Sequence, residues 1–482
     1  MKMDMNMNMK HTIFEAYACP EEGGVSSKGL AAFLDAAEKV KDKVQFHSMI
    51  LLRHGKAVCR WSWAPYDDHT PHVLYSLSKS FTSAAAGFAV AEGLLRWDSS
   101  VTEILPEEIP AENREALRPV TLEALLSMGS GLEEASDTPS PDPKITWARH
   151  VLSHKVKYPP MTHFHYNTFS TYIVSCMVQK AAGMTIRDYL MPRLFEPLGI
   201  EKPEWDLSPE GICCGGFGLH LSSESIARFG QCLLQKGVWQ GRQVLPAGWV
   251  ELATREHIAN YEGDPQAGNE WGQGYGFQFW RCIDGRYRGD GMYGQACMVD
   301  EARDAVLAVT CATCDMGAEF ALIRDYLFTA FDAEPGTPAE QAALIAKAEQ
   351  LKYPLCIADD GTVESLPEGT FKTELEELSV FVRLSGFADD MIHMELRFGD
   401  EARDALDLYL TRGRLAFAGV NPWQKKRFFG GYGWQEHKLR IGLRTVDGPD
   451  TMEGVFSRTE DQLIFDGIGM DCPGGHVVFE KL

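Results

Sequence analysis

Serine is a poor nucleophile at neutral pH because its hydroxyl is almost never ionised, so it needs a base within hydrogen-bond reach. The stretch Ser76-Leu77-Ser78-Lys79 offers one. A three-residue offset on a helix puts Ser76 and Lys79 on one face, one turn apart. The Ala/Phe-rich surround would disfavour an ammonium and lower the lysine pKa, so that the amine accepts or relays a proton. The positive end of a helix dipole would favour an alkoxide and the oxyanion made from it. By itself Ser-x-x-Lys is a weak pattern, more readily read as a helix cap beside a surface charge. Tyr166 is a second candidate. A phenol of ordinary pKa about 10 serves as base or proton shuttle if a nearby ammonium, such as that of Lys79, holds it partly ionised.

These groups need elements to hold them. Apolar residues at helical spacing (Leu30, Phe33, Leu34, Ala37, Val40) predict a helix over 25–42. Ser48–Arg53 and Lys56–Trp63 read as two strands joined by the two-residue turn His54-Gly55. The Ala-rich segment Ser76–Leu95 reads as a buried helix ending near Gly93. Prolines punctuate 100–270 into helices and long loops. Strands are expected at Tyr275–Cys282, Gln295–Val299 and Ala305–Thr313, then a helix at Glu319–Phe331. That order suits an α/β (α+β) sandwich whose antiparallel sheet joins both ends of the segment, with an inserted helical lobe. Asp332–Gln341 reads as a boundary, and Thr337-Pro338-Ala339-Glu340 as a capping box opening a new helix. Beyond 370 the pattern alternates, as in Met391–Phe398 and Lys438–Arg444, predicting an antiparallel all-β domain. The expected domains are therefore 1–334, a linker and helix over 335–369, and 370–482.

Further landmarks surround the serine. Leu74–Thr82 (LYSLSKSFT), Thr121–Leu132 (TLEALLSMGSGL), Phe164–Thr168 (FHYNT), Leu194–Ile200 (LFEPLGI) and Gly215–Leu219 (GGFGL) follow one another over about 300 residues. In this order they resemble the serine β-lactamase and penicillin-binding superfamily, closest to its class C β-lactamase, DD-peptidase and esterase branch. The resemblance implies Ser76 as nucleophile and Lys79 and Tyr166 as proton-handling groups. It also implies an oxyanion hole from the N–H groups of Ser76 and Met292. The last 150 residues fall outside it.

Two motifs depart from that family. On the strand lining the site, relatives carry Lys-Thr-Gly or His-x-Gly. Here Arg288-Gly289-Asp290-Gly291 puts Gly289 at the cationic position and Asp290 at the threonine position. The group that would hold a β-lactam carboxylate is missing, although Arg288 is adjacent, and Asp290 would repel anionic substrates. Thr168 also stands where the family's Asn does, beside Asn167. Asn167, Thr168, Asp290 and Gly291 are the expected substrate-binding residues.

Other signals point away from rival chemistries. Gly289-x-Gly291-x-x-Gly294 fits a dinucleotide fingerprint, but a strand rather than a helix follows it. His163 and His165 lack a third ligand for a metal. Cys311-x-x-Cys314 has no second pair at zinc spacing. No metal or organic cofactor is expected. Across 482 residues, 46 Lys+Arg face 68 Asp+Glu, a formal charge of -22 that repels nucleic acid and anionic membrane. The N-terminus carries no secretory h-region, and twelve scattered cysteines read as reduced thiols, so a cytoplasmic location is expected. The sequence thus predicts a cytoplasmic serine hydrolase that cleaves a small ester or amide. The alternatives are a D-amino-acid peptidase, DD-peptidase or weak β-lactamase, and a catalytically inactive ligand-binding relative.

Overall fold

The computed structural model describes residues 13–201, 203–353, 357–362, 364–375, 378–388, 390–399, 405–420, 426–459, 461–468 and 475–482. The Met-rich N-terminal segment read for a leader lies outside them. The chain divides into two compact units. One comprises Met1–Trp61, Pro71–Cys311 and Asp315–Glu349, the other Ser62–Thr70, Ala312–Cys314 and Gln350–Leu482.

In the first unit, Ser27–Lys39 (α1) buries Leu30, Phe33, Leu34 and Ala37, and Ser26 caps it by accepting from the Gly29 N–H at 3.3 Å. Strands Val44–Arg53 (β1) and Lys56–Ser62 (β2) form the expected hairpin. His54 and Gly55 have φ of 51° and 72°, the left-handed pair that a tight two-residue turn requires. β1 starts before Ser48 because Val44 and Phe46 are also buried.

The Ala-rich helix is Ser78–Ala91 (α2), fed by a 3-10 turn over Tyr75–Leu77. Every residue from Ser78 to Ala89 is buried, as expected for a helix apolar on all sides. Phe81 stacks on Phe229 with ring centroids 4.1 Å apart, and complete burial of such a ring stabilises by roughly 1.5–3 kcal/mol. Three of the hydroxyls on α2 are committed to neighbouring backbone. Ser78 accepts from the Leu219 N–H at 3.1 Å, while Ser80 donates to Gln278 O at 2.9 Å and Thr82 to Gly215 O at 2.8 Å. These bonds fix the helix axially, which apolar packing alone does not.

Thr168–Ala182 (α3) packs against α2, and Ser223–Leu234 (α4) lies on the sheet. Strands Trp280–Arg281 (β3), Tyr287–Gly291 (β4), Gln295–Asp300 (β5) and Ala305–Thr313 (β6) run antiparallel, and the six-stranded order is β2-β1-β6-β5-β4-β3. Both ends of the segment therefore meet in one sheet. The strand expected over Tyr275–Cys282 shrinks to two residues, because Gln278 adopts φ 65°. Its amide bridges Thr171 Oγ1 at 2.8 Å and Leu126 O at 2.7 Å. Met316–Leu322 (α5) continues through wider and tighter turns to Phe331. Pro338–Ala348 (α6) opens with the expected capping box at Thr337 and packs on α1.

The second unit is a closed β-barrel. Its strands are Thr370–Leu375 (β7), Leu378–Ala388 (β8), Met391–Phe398 (β9), Ala405–Arg412 (β10), Ala416–Val420 (β11), Arg427–Gln435 (β12), Lys438–Thr445 (β13), Thr451–Arg458 (β14), Gln462–Ile468 (β15) and His476–Lys481 (β16). The order is β10-β9-β8-β7-β16-β15-β14-β13-β12-β11, and a parallel pairing of Thr411 with Gly431 joins β10 to β12 and closes the ring. Leu384, Ile392, Met394, Leu408, Trp434, Leu439 and Ile441 fill its core. Among the described residues no helix is long and apolar enough to cross a membrane.

Candidate active site

Ser76 occupies the middle of the 3-10 turn ahead of α2, and Lys79 is the second residue of the helix. Tyr75, just before the serine, has φ 47°, a conformation costly for a side chain of that size. The strained turn presents Ser76 while Leu77 anchors in the core. Lys79 is 1% exposed. Its Nζ lies 2.9 Å from Ser76 Oγ, 2.7 Å from Gly216 O and 3.5 Å from Thr168 Oγ1. As an ammonium Lys79 donates to all three; once neutral it keeps two donors and has one lone pair with which to take the Ser76 proton. Burial lowers the Lys79 pKa from 10.5 to about 7, against the opposing pull of Asp137 and Asp290.

Tyr166 presents its ring to this amine, with Lys79 Nζ 4.9 Å from the centroid. The ring stacks on Trp280 at 5.3 Å and meets Tyr275 edge-on at 6.2 Å. Burial pushes its pKa well above the usual range, helped by Asp290 and Asp137 and opposed by the neighbouring Ser76 hydroxyl. This environment keeps the phenol protonated, the reverse of a phenolate held by Lys79. The Ser76 side chain lies within hydrogen-bonding reach of the phenol.

Asn167 is fully buried and caps α3. Its Oδ1 accepts from the Ser170 N–H at 2.7 Å and its Nδ2 donates to Ser136 at 2.8 Å. That cap fixes where α3 begins, and so places Thr168 against Lys79.

The end of β4 packs on the serine turn with no space to spare. A Cβ on Gly291 would lie 2.0 Å from Leu74 O, so only glycine fits. A Cβ on Gly289 would meet Ser80 Oγ at 2.4 Å, which bars a family-like cation at that position. The turn after β4 carries Met292, whose side chain is 58% exposed. Asp290 is 6% exposed and accepts from Arg288 Nε at 2.9 Å. Arg288 is wholly buried, also donates to Glu270 O at 3.1 Å, and lies 4.4 Å from the centre of the Phe320 ring. It is therefore turned away from the cleft and does not stand in for the absent cation.

Several groups had no signal in spacing. Asp137 is half-buried on the loop before the Tyr166 segment, accepts from the Phe169 N–H at 3.1 Å and acts on Lys79 through space. Gly216 contributes only a carbonyl. Glu319, on α5, is wholly buried behind Gly294 with neither carboxylate oxygen partnered, and burial raises its pKa well above the usual range. Among the described residues no disulfide forms and no cluster of three or more metal-ligating side chains exists.

The fold and this arrangement agree with sequence comparison. The Beta-lactamase family model matches residues 36–327, and the chain belongs to that family. It is 22% identical over 307 residues to the 6-aminohexanoate-dimer hydrolase of Paenarthrobacter ureafaciens, covering 60% of this chain and 78% of that protein. It is 26% identical over 254 residues to penicillin-binding protein 4 of Amycolatopsis lactamdurans, covering 45% of this chain and 65% of that one. The crystal structure of SurE aligns over 96% of this chain and 100% of its own, with a TM-score of 0.51 at 16% identity. That alignment takes in the barrel, which lies beyond the family model.

Proposed function

We propose that this protein is a serine hydrolase that cleaves small esters or amides through an acyl-enzyme on Ser76. The observation that carries the reading is the set of contacts at the buried Lys79 Nζ, which donates to Gly216 O at 2.7 Å and lies 2.9 Å from Ser76 Oγ, within reach to take its proton in the neutral form. Ser76 Oγ attacks the carbonyl carbon and its proton passes to Lys79 Nζ. The N–H groups of Ser76 and Met292 take the tetrahedral oxyanion. One such donor is typically worth about 3 kcal/mol of barrier. The protonated phenol of Tyr166 delivers a proton to the leaving group, which departs as alcohol or amine and leaves the acyl ester on Ser76. The Lys79 ammonium returns its proton to the Tyr166 phenolate; water then attacks the ester as its proton passes to Lys79, and collapse of the tetrahedral intermediate releases the acid while Ser76 Oγ takes that proton back.

Small esters and amides suit this cleft better than β-lactams. Asp290 occupies the strand where a carboxylate-holding cation would stand, and the chain's similarity to a hydrolase of an aminohexanoate dimer agrees with amide or ester cleavage. The buried free thiols of Cys59, Cys176 and Cys297 fit a reducing cytoplasm. The test is incubation with a fluorophosphonate probe followed by intact mass measurement, beside turnover of short-chain p-nitrophenyl esters and nitrocefin. One adduct absent from Ser76→Ala, with ester turnover exceeding nitrocefin turnover, supports the proposal. No adduct with any acylating agent supports an inactive binder instead.

A further inference from the structure

Two tyrosines flank the groups that carry out acyl transfer without taking part in it. Tyr75 precedes Ser76 and has φ 47°, and Tyr293 follows Met292 and has φ 66°. A bulky side chain is seldom held in this left-handed region, and such strain persists only where the surroundings over-determine it. Here the two strained residues meet. Both are half-buried, and their rings pack edge-on with centroids 5.2 Å apart and planes at 63°.

Each strained residue governs the direction of one amide. The Ser76 N–H belongs to the peptide unit that joins it to Tyr75, so it swings with the Tyr75 backbone angles. On either side of that unit the chain is held, since the Leu74 N–H donates to Leu219 O at 2.8 Å and the Leu77 N–H to Leu74 O at 3.1 Å. The Met292 N–H belongs to the unit that joins it to Gly291. In a trans peptide the C=O and the N–H point in opposite directions. Gly291 O accepts from the Gly294 N–H at 3.1 Å, inside the hairpin of β4 and β5, so the Met292 N–H is turned out of it. Tyr293 is the third residue of that four-residue turn, the position where a type II turn needs φ above zero and normally takes glycine. Wholly buried Gln295 steadies the same turn. Its Nε2 donates to Met292 O at 3.3 Å and to Cys311 O at 2.8 Å, and its Oε1 accepts from the Cys311 N–H at 3.3 Å.

Resting on the Ser76 hydrolase reading, we propose that the Tyr75–Tyr293 ring contact is a brace that fixes the two N–H groups of the oxyanion hole relative to each other. Both tyrosines are then positioning residues. Each ring keeps the other's backbone from relaxing to an ordinary φ, and neither has to touch the substrate. The brace therefore acts on the tetrahedral oxyanion and not on the bound ester.

Four substitutions test this. Tyr75→Leu and Tyr293→Leu each remove one ring, and Tyr293→Phe restores it. Tyr293→Gly reaches φ 66° without strain but has no ring. Acylation by a neutral phenyl ester and by its thionoester, with C=S in place of C=O, is followed in single turnovers. A sulfur anion is larger and accepts hydrogen bonds more weakly, so well-aimed donors favour the oxygen ester. The Leu and Gly variants should lower the saturating acylation rate with the oxygen ester by about 10–100-fold, the scale of a donor displaced but still present. The half-saturating concentration should not change, and the thionoester rate should fall less. Tyr293→Phe should recover the wild-type values, and the double Leu variant should be little slower than either single one. Equal losses with both esters, a loss confined to the half-saturating concentration, or a wild-type rate in Tyr293→Gly overturns the inference alone. No acylation of Ser76 in the wild type by either ester overturns the hydrolase reading and the inference with it.

Discussion

Replacing Lys79 with Met should abolish acylation and yet stabilise the protein below neutral pH. Burial holds the amine at about 7, where an exposed lysine sits at 10.5. At about 1.4 kcal/mol per unit, keeping the ammonium charged inside the fold costs roughly 5 kcal/mol. Below pH 7 folded and unfolded chains both carry the proton, so the whole cost is present. Between about 7 and 10.5 the unfolded chain binds the proton and the folded chain does not. Stability from this group therefore rises with pH, and by pH 9 the cost is roughly 2 kcal/mol. Methionine removes the cost but also the bond to Gly216 O, whose buried carbonyl is then unpaired at about 1–3 kcal/mol. The expected net gain is about 2 kcal/mol or more at pH 6 and about zero at pH 9. Urea unfolding of wild type and Lys79→Met, run at both pH values, measures it. Equal destabilisation at both would refute the reasoning, since the lost hydrogen bond does not depend on pH and the burial cost does.

Other outcomes follow from the same geometry. The acylation rate with a neutral ester should rise through an apparent pKa near 7 and level off above it, as Lys79 loses its proton; a profile that falls over this range would assign the base elsewhere. Tyr166→Phe should lower kcat by about 10²–10⁴, the usual scale of a lost acid, with the larger loss for the poorer leaving group in a series of substituted phenyl esters. Gly291→Ala forces a Cβ to within 2.0 Å of Leu74 O, so thermal unfolding should show a loss of roughly 1–3 kcal/mol together with loss of acylation. Asn167→Ala removes the α3 cap and should cost about 1 kcal/mol in denaturant titration.

Much of the fold was legible because its signals are local. The His54-Gly55 turn and the capping box at Thr337 depend on a few adjacent residues, and both form as the sequence predicts. The alternation of Leu439, Ile441 and Leu443 is likewise a property of one strand, and all three are buried. Ser76 and Lys79 were legible together for the same reason, since three residues of chain fix their separation. What spacing does not encode is long-range. Asp137 and Lys79 are 58 positions apart, and only the fold brings them into electrostatic range. The same is true of the Gly216 carbonyl, which offers no side chain to notice, and of Trp280 under Tyr166. The strand predicted over Tyr275–Cys282 was lost to a tertiary demand, the buried amide of Gln278 bridging two other segments. Arg288 looked available because it is adjacent to the missing cation. Strand alternation puts it on the face opposite Gly289, with Asp290, and its complete burial and ion pair with Asp290 commit it there.

The most direct test is to mix the protein with a slowly deacylating p-nitrophenyl ester, quench in acid within the first turnovers, and map the peptides by mass. One acyl group per chain, carried by the peptide containing Ser76 at that hydroxyl, is the predicted result. An acyl group on any other side chain, or product release with no labelled peptide at any quench time, would contradict nucleophilic attack by Ser76.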